Sequence, residues 1–453
     1  MRAESGMQSI LFDFQRPGGT SWFYLSFILA LAVYFRFSRI LSLRNLDLIA
    51  LFLGVPGLLA VNSVEKSIPT FVDGTYSVKN LSAENLRIDR IGYTWLFAFS
   101  AYLVCRCFVD LVIPRRPKID PNLNIQGLTV LAVALLGFLT YEILQRAPDP
   151  AGRKSAQLAS SVRQGHIESS RTAHPATPLI IYPVWAVVTM VAENFDAESR
   201  PMETDVYDGV ARSAAILCHV TILVALVLIG WKHFDDLSLG IGMATLYLLL
   251  PLTAIQVEKV DHLLPSMFLV WAVLAYRKPW CSGVLFGFAC LFVYPILLVP
   301  LWTGFYWKRG AHKFLIALLA TSAMFFLVIW QLSQVQSMLT LWKTSFASQA
   351  WDFMHLPESL GLWTQATQSY RLPIFIVHMA ILIATAFWPV GKNLGELIAM
   401  SVLMIACLQF WYGDRGGSYI HWYLPLLLLM VFRPNLTSLR PPEQNPAPAT
   451  NGK

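Results

Sequence analysis

The sequence predicts an all-α protein that crosses a membrane many times, and three observations predict this fold class. Of the 453 residues, 56% are hydrophobic and only 13% are charged, whereas ordinary soluble domains carry about 25% charged residues. Apolar runs of about 17 to 25 residues recur along the chain, and a helix of that length crosses a bilayer core. Because a segment isolated in lipid must satisfy its own backbone hydrogen bonds, these runs are expected to be helices.

The apolar runs predict about twelve spans, together with re-entrant and interfacial helices. The spans are 21–40, 46–62, 93–113, 126–144, 210–231, 238–255, 262–276, 281–306, 314–332, 372–389, 394–411 and 418–432. No basic segment runs directly into an apolar one at the N-terminus, so we expect no cleaved signal peptide. We divide the chain into an N-terminal membrane region (1–126, three spans), a membrane core (127–432) and a Pro-rich, disordered cytoplasmic tail (433–453).

The positions of the basic residues predict the orientation. The formal net charge of +7 lies in loops beside the spans, so we expect membrane lipid as a partner and no nucleic acid. Basic clusters follow the first, third, seventh and last spans, which assigns these loops to the cytoplasm. The segments 64–92, 145–209, 256–262, 333–371 and 411–418 then lie outside. We expect an integral, multi-pass protein of a bacterial inner (plasma) membrane.

The run 281–306 breaks this alternation, because basic residues flank both of its ends. Arg277 and Lys278 precede it, and Lys308 and Arg309 follow it. Strong positive charge on both flanks does not fit a single span. Pro295 near the middle would interrupt a helix and disfavour helical backbone at the residue before it. The pattern predicts a re-entrant hairpin, with one long tilted helix as the alternative.

Two exterior segments predict further helices outside the spans. Asp149 followed by Pro150 is typical of a helix N-cap and first turn. The apolar run 178–191 is too short for a span, which favours a re-entrant or interfacial helix. The Trp-rich segment 333–371 is typical of the headgroup zone, either as a plain interfacial belt or as a lid or groove wall for a lipid-borne substrate.

The order of motifs over about two-thirds of the chain resembles a known family of membrane enzymes. The motifs are Tyr182-Pro183, the patch 259–264 (KVDHLL), Ser282-Gly283 to Gly287, the element 295–300 (PILLVP), and Tyr419, Trp422 and Pro425. In this order they resemble the membrane glycosyltransferases of the C superfamily, most closely the polyprenol-phosphate-dependent, mannosyltransferase-like family 87. The resemblance implies a glycosyltransferase C-like fold for residues 127–432.

The resemblance also implies an activity and a set of site residues. A hexose, mannose-like, would pass from a polyprenyl-phosphate donor to a glycan, lipid or protein acceptor outside the cytoplasm. One carboxylate would act as general base on the acceptor hydroxyl, with Asp149 and Asp261 as the catalytic candidates. No cofactor is implied, and no ligand cluster calls for a metal. The substrate-binding candidates are Arg153, Lys154, Tyr182, His262, Asp414, Arg415 and His421.

Most of these candidate residues have a structural alternative. Asp149 is also a helix cap, and Asp261 could pair with Lys259 or cap a helix. Arg153 and Lys154 could instead be ordinary solvated charges. The sequence GDRGG at 413–417 is also typical of a tight turn. Within the third span, Arg106 and Asp110 are spaced to neutralise each other.

Two other function classes remain open: a transporter or lipid flippase, and a non-catalytic membrane protein. Transporters place ionisable groups near the bilayer midplane and are often built from internal repeats. Here the spans 238–255, 262–276, 314–332 and 372–389 have essentially no interior charge, and no repeat is evident. Charge instead collects in the exterior loops, which favours a site at the boundary between membrane and exterior.

Overall fold

The computed structural model describes residues 18–66, 71–72, 75–76, 82–113, 119–165, 174–194, 202–292, 294–333, 353, 361–364, 366–413 and 415–442. Over these residues the chain is all-α and polytopic, as predicted, apart from an antiparallel pair of two-residue strands, Phe71–Val72 and Thr75–Tyr76. The segment 333–371 and the residues after 442 lie largely or wholly outside the described residues.

The helices follow in chain order. They are α1 (Gly19–Tyr34), α2 (Leu43–Leu53), α3 (Val55–Lys66), α4 (Ala83–Val112), α5 (Ile125–Gln145), α6 (Pro150–Val162), α7 (Thr177–Glu193), α8 (Glu203–His233), α9 (Leu237–Leu249), α10 (Pro251–Ile255), α11 (Val260–Leu274), α12 (Pro279–Ala289), α13 (Val299–Phe305), α14 (Ala311–Ser333), α15 (Arg371–Phe387), α16 (Leu394–Trp411) and α17 (Leu424–Phe432). Short 3₁₀ helices occur at Phe37–Arg39, Tyr294–Leu298, Gln368–Tyr370 and Ile420–Trp422.

Seven helices of the described chain are long and apolar enough to cross a membrane. They are Leu43–Glu65, Ala83–Val112, Ile125–Gln145, Glu203–His233, Ala311–Ser333, Gln368–Phe387 and Leu394–Trp411. The other predicted spans contain shorter apolar helices. The run 238–255 divides at Leu250, because Pro251 starts a new helix. The run 418–432 becomes α-helical only from Leu424, after a 3₁₀ turn.

The segment 281–306 turns back on itself, as the hairpin prediction requires. Helix α12 ends at Ala289, a 3₁₀ helix spans Tyr294–Leu298, and α13 follows. The rings of Phe286 in α12 and Trp302 in α13 lie 4.9 Å apart, so the two arms are side by side. The hydroxyl of Tyr306 donates to the backbone carbonyl of Tyr276 at 2.9 Å. The two flanks therefore meet at one end of the molecule, which confirms the hairpin over the single tilted helix.

Small residues hold the first arm of the hairpin against α14. A Cβ atom at Gly283 would lie 2.4 Å from the carbonyl oxygen of Phe314, and one at Gly287 would lie 2.9 Å from that of Leu318. Only glycine permits these approaches of backbone to backbone. Membrane helices use small residues in this way to gain packing contacts that lipid cannot supply.

Charged residues are gathered at two opposite ends of the helices. At one end Arg106 of α4 donates to Asp47 of α2 at 2.6 and 2.7 Å and to Asp110 at 3.1 Å. Arg433, after α17, also donates to Asp110. The predicted pairing of Arg106 with Asp110 is therefore present within a larger buried network. The other end carries the candidate site.

The N-terminal helices pack directly on the predicted core. Helix α4 packs along α16, and α1 contacts α9 and α10. The hydroxyl of Tyr34 donates to the backbone carbonyl of Gly242 at 2.8 Å. At the other end of the chain, the backbone N–H of Leu394 donates to the carbonyl of Leu439 at 2.8 Å, so packed chain continues past the predicted start of the tail.

Candidate functional site

A cluster of charged side chains lies where the ends of α3 and α5 meet the loop before α11 and the turn after α16. We call it the polar cluster and define it by Glu65, Asp149, Glu258, Lys259, Asp261 and Arg415. Its members come from parts of the chain that are distant in sequence. The fold thus brings these charges together at one end of the apolar helices.

Asp149 is the N-cap of α6 and also a member of the polar cluster. Its Oδ2 accepts a hydrogen bond from the backbone N–H of Gly152 at 3.4 Å, and Pro150 occupies the first helical turn. Burial raises the pKa of the Asp149 carboxyl, while the charge of Lys259 and the backbone donors of α6 oppose this rise. The predicted cap is confirmed. The carboxylate also lies within electrostatic range of Lys259 and Arg415. Asp149 can therefore cap α6 and belong to the polar cluster at the same time.

Asp261 lies in the first turn of α11, before the apolar part of that helix. Its Oδ1 accepts a hydrogen bond from the hydroxyl of Thr177 at 2.5 Å, which ties the start of α7 to α11. Burial raises the pKa of Asp261 to about 7; the Thr177 hydroxyl lowers it, and the charge of Asp149 raises it further. A carboxyl with such a pKa is half ionised near neutrality, which suits proton transfer.

Two cations share one carboxylate at the centre of the polar cluster. Arg415 Nη1 lies 2.9 Å from Glu65 Oε1, and Lys259 Nζ lies 3.8 Å from Glu65 Oε2. Burial lowers the pKa of Lys259, but the charges of Glu65, Asp149 and Glu258 raise it above its usual value. Lys259 therefore carries a positive charge, and Glu65 rather than Asp261 is its ion-pair partner.

A strained turn presents Arg415 to the polar cluster. Arg415 has φ of 49° and Gly417 has φ of 97°, so two residues in three adopt left-handed backbone. The N–H of Gly417 donates to Gln409 Oε1 at 3.0 Å, and the N–H of Ser418 donates to the Arg415 carbonyl at 3.1 Å. The predicted tight turn is present, and it also places the guanidinium at Glu65. Asp414 lies outside the described residues.

Arg146 ties the end of α5 to the loop before α11. Its guanidinium lies 2.7 Å from Glu142 Oε1 and 3.2 Å from Glu258 Oε2, and it donates to the carbonyl of Ile255 at 3.2 Å. Because Asp149 follows Arg146 by three residues, this bracing holds Asp149 beside Lys259 and Asp261.

Aromatic rings and histidines form one wall beside the polar cluster. The indole Nε1 of Trp422 donates to His262 Nδ1 at 3.0 Å, so the proton of the neutral imidazole lies on Nε2. The ring of Trp422 stacks on Tyr419 at 4.2 Å and on Tyr294 at 4.3 Å. Tyr294 is the tip of the hairpin, which therefore reaches the site. His421 is buried nearby, with Nδ1 3.4 Å from Gln256 Oε1.

Three predicted site residues have their contacts elsewhere. Arg153 is exposed and its Nε lies 2.9 Å from Asp208 Oδ1. Lys154 donates to Gln157 Oε1 at 3.1 Å along the same helix. Tyr182 stacks on Trp185 at 5.5 Å. The structure thus brings together Asp149, Asp261, His262, Arg415 and His421 but leaves Arg153, Lys154 and Tyr182 outside the polar cluster.

The N-terminal region supplies site residues that sequence reasoning missed. Glu65 lies in the last turn of α3, and the buried carboxyl of Asp89 in α4 lies within electrostatic range of Glu65 and Arg415. The sequence offered one signal for them, because Glu65 follows the apolar run 46–62 and Asp89 precedes the run 93–113. Over the described ranges, no group of three or more His, Cys, Asp or Glu side chains could hold a metal ion. Compared with known proteins, the chain matches no family model, no curated protein and no solved structure.

Proposed function

We propose that this chain is an integral membrane glycosyltransferase that moves a mannose-like hexose from a polyprenyl-phosphate donor to a glycan, lipid or protein acceptor. One observation carries the proposal: the carboxylate of Asp149 lies within electrostatic range of a second carboxylate, Asp261, and of two cations, Lys259 and Arg415, at the end of membrane helices. Such an arrangement suits a substrate with a lipid tail, a phosphate and a sugar that must be attacked by a hydroxyl.

The two cations would bind the donor phosphate. Lys259 and Arg415 both contact one carboxylate, that of Glu65. A phosphate that binds Lys259 and Arg415 would replace the loose 3.8 Å contact between Lys259 and Glu65. Charged donors aimed at a phosphate also stabilise negative charge as it develops during departure.

The carboxylates would carry the proton chemistry. Asp149 takes the proton of the acceptor hydroxyl while that oxygen forms a bond to the anomeric carbon of the sugar. The bond from this carbon to the phosphate oxygen breaks, and the polyprenyl phosphate leaves with the electron pair toward Lys259 and Arg415. This single displacement inverts the anomeric centre. Asp261, with its pKa near 7, orients the acceptor and can share the proton.

The wall beside the polar cluster would position the sugar. The Nε2–H of His262 is a hydrogen-bond donor whose tautomer is fixed by Trp422. The stacked rings of Tyr294, Trp422 and Tyr419 give an apolar surface next to it. The rings would exclude water from the reacting centre, and water would otherwise hydrolyse the donor.

We further propose that the site faces the exterior of a bacterial inner (plasma) membrane. Arg277 and Lys278 lie at the base of the hairpin, whereas its tip, Tyr294, reaches the polar cluster. Basic clusters mark cytoplasmic loops. The polar cluster then lies at the opposite, exterior surface, where polyprenyl-linked sugars meet acceptors.

Substitutions at Asp149 test the proposal because its two roles can be separated. Asparagine caps helices as well as aspartate does, so Asp149→Asn removes the base and keeps the start of α6. We expect transfer from polyprenyl-phosphate donors by purified protein to fall by at least about 100-fold, with unchanged thermal stability. Asp149→Ala should lose both transfer activity and thermal stability, because alanine supplies neither the base nor the cap. Asp208→Asn, which removes the partner of exposed Arg153, is the matched control and should keep activity.

The outcomes are distinct. If Asp149→Asn retains wild-type transfer while the acceptor is limiting, Asp149 is not the base, and Asp261→Asn becomes the test of the second carboxylate. If wild-type protein transfers no sugar from any polyprenyl donor, the enzyme proposal fails. Vesicles that contain the wild-type protein and a fluorescent lipid-linked sugar then measure translocation, which a flippase would accelerate.

A further inference from the structure

A groove opens at the end of the molecule opposite the polar cluster. It has a volume of about 530 Å³ and lies between the end of α8, the turn after it, the end of α11 and the start of α12. The charged residues that line it are Lys232, Asp235, Arg277 and Lys278. The base of the hairpin therefore forms one side of the groove, and none of these residues belongs to the candidate site.

The lining of the groove carries more positive than negative charge. Three cations face one carboxylate, so the lining carries a net positive charge of two. Arg277 is held in place: its Nε donates to the hydroxyl of Tyr276 at 3.2 Å, and its guanidinium lies 5.8 Å from the centre of that ring. The negative charge of Asp235 also acts on Arg277. Lys232 and Lys278 are exposed, and neither forms an ion pair with another described residue.

Tryptophans frame the groove at the level where apolar helices end. Trp231 is 56% exposed at the end of the 31-residue helix α8, and Trp280 is 48% exposed at the start of α12. The indole Nε1 of Trp271 donates to the carbonyl of Thr221 at 3.1 Å, which fixes its ring in the groove wall. Tryptophan is enriched where hydrocarbon meets headgroups. The groove thus lies at an interface, with apolar surface on one side and cations on the other.

We propose that this groove binds the headgroup of an anionic phospholipid. The phosphate would contact Lys232, Arg277 and Lys278, and the acyl chains would lie against Trp231 and Trp271. Basic pockets between membrane helices on the cytoplasmic side bind anionic headgroups by this combination of charge and depth. The inference does not depend on glycosyl transfer, because it concerns the opposite end of the helices.

The experiment compares lipids and two matched double variants. Wild-type protein in zwitterionic detergent receives phosphatidylglycerol or phosphatidylcholine, and retained lipid is counted by native mass spectrometry. We expect at least about tenfold preference for phosphatidylglycerol, since each basic residue near an anionic surface contributes severalfold. Lys232→Gln/Lys278→Gln should lose most of this preference. Lys308→Gln/Lys313→Gln changes the same charge at the same end, outside the groove, and should keep it.

A steric variant and a soluble competitor complete the test. Ala275→Trp fills the groove without changing charge and should also abolish retention, whereas thermal stability reports that the variant is folded. Glycerol 3-phosphate at millimolar concentration distinguishes a site for free phosphate, which it would block, from one that needs the acyl chains. Equal losses in the two lysine variants, or wild-type retention by folded Ala275→Trp, would refute the groove as the binding site.

Discussion

The buried ion network at the end opposite the candidate site gives the sharpest stability prediction. Arg106 donates two hydrogen bonds to Asp47, and both side chains are 6% exposed. Replacing Arg106 with methionine keeps much of the volume and leaves the Asp47 carboxylate buried without that partner. Asp110 loses one bond but retains Arg433.

The expected loss of stability in Arg106→Met comes from the Asp47 carboxylate, which stays buried without its partner. Removing one partner of a buried pair destabilises by about 3–5 kcal/mol, because an uncompensated charge remains. Adding Asp47→Asn to Arg106→Met removes that charge. The double variant should therefore cost less than the sum of the single variants by about 1–3 kcal/mol. Reversible unfolding of purified protein in mixed micelles, followed by circular dichroism, measures all four corners of the cycle.

An exposed pair in the same molecule is the control. Arg153 and Asp208 lie 2.9 Å apart, but their side chains are 48% and 22% exposed. Arg153→Met should cost no more than about 1 kcal/mol, because water screens exposed pairs. Equal costs for Arg106→Met and Arg153→Met, or additive effects of Arg106→Met and Asp47→Asn, would show that the network contributes no buried electrostatic stabilisation.

Three further outcomes are expected. Gly283→Ala should destabilise the protein by about 1–3 kcal/mol, because the added Cβ would lie 2.4 Å from a backbone carbonyl oxygen of α14. Gly137 of α5 has open space around it, so Gly137→Ala should be neutral or slightly stabilising. Thermal unfolding of the two variants measures the difference. The Asp261 carboxyl has a pKa of about 7 when folded and about 4 when unfolded, so the folded state binds the extra proton between these values. The stability that Asp261 contributes should therefore be greatest below about pH 4 and fall as the pH rises to about 7, and Asp261→Asn should remove this part of the pH dependence. Glu65→Gln should lower the pKa of Lys259, because the charge of Glu65 raises that pKa more than any other charge does. NMR of dimethylated lysine in the variant and the wild type would detect the change. An unaltered titration of Lys259 would contradict its pairing with Glu65.

Much of the fold was predictable because the membrane imposes simple rules. Hydropathy and helix signals predicted the multi-pass all-α class, the Asp149 cap and the break near Pro295. Charge on both flanks of 281–306 predicted that the segment returns. Hydropathy alone did not predict where apolar runs divide, because it ignores backbone donors. Pro251 removes one such donor, so the run 238–255 became two helices.

The candidate site was predictable only where charge sat in the exterior loops. Asp149, Asp261 and Arg415 were identified by loop position and by a family resemblance, and the structure gathers them. Their partners were not, because pairing across the fold leaves no local spacing. Arg153 and Lys154 were assigned by proximity to Asp149 in sequence; on α6 their contacts run to Asp208 and Gln157 instead.

Glu65 changes how the N-terminal helices are understood. The predicted core, 127–432, contains Lys259 and Arg415 but not the carboxylate that both contact. The charge of Arg415 lowers the pKa of Lys259, and Glu65 is the largest of the negative charges that raise it. Helix α3 thus supplies a negative charge that offsets the repulsion between the two cations. The helices of residues 1–126 therefore help to build the candidate site, and a core expressed without them would lack the carboxylate that both cations contact.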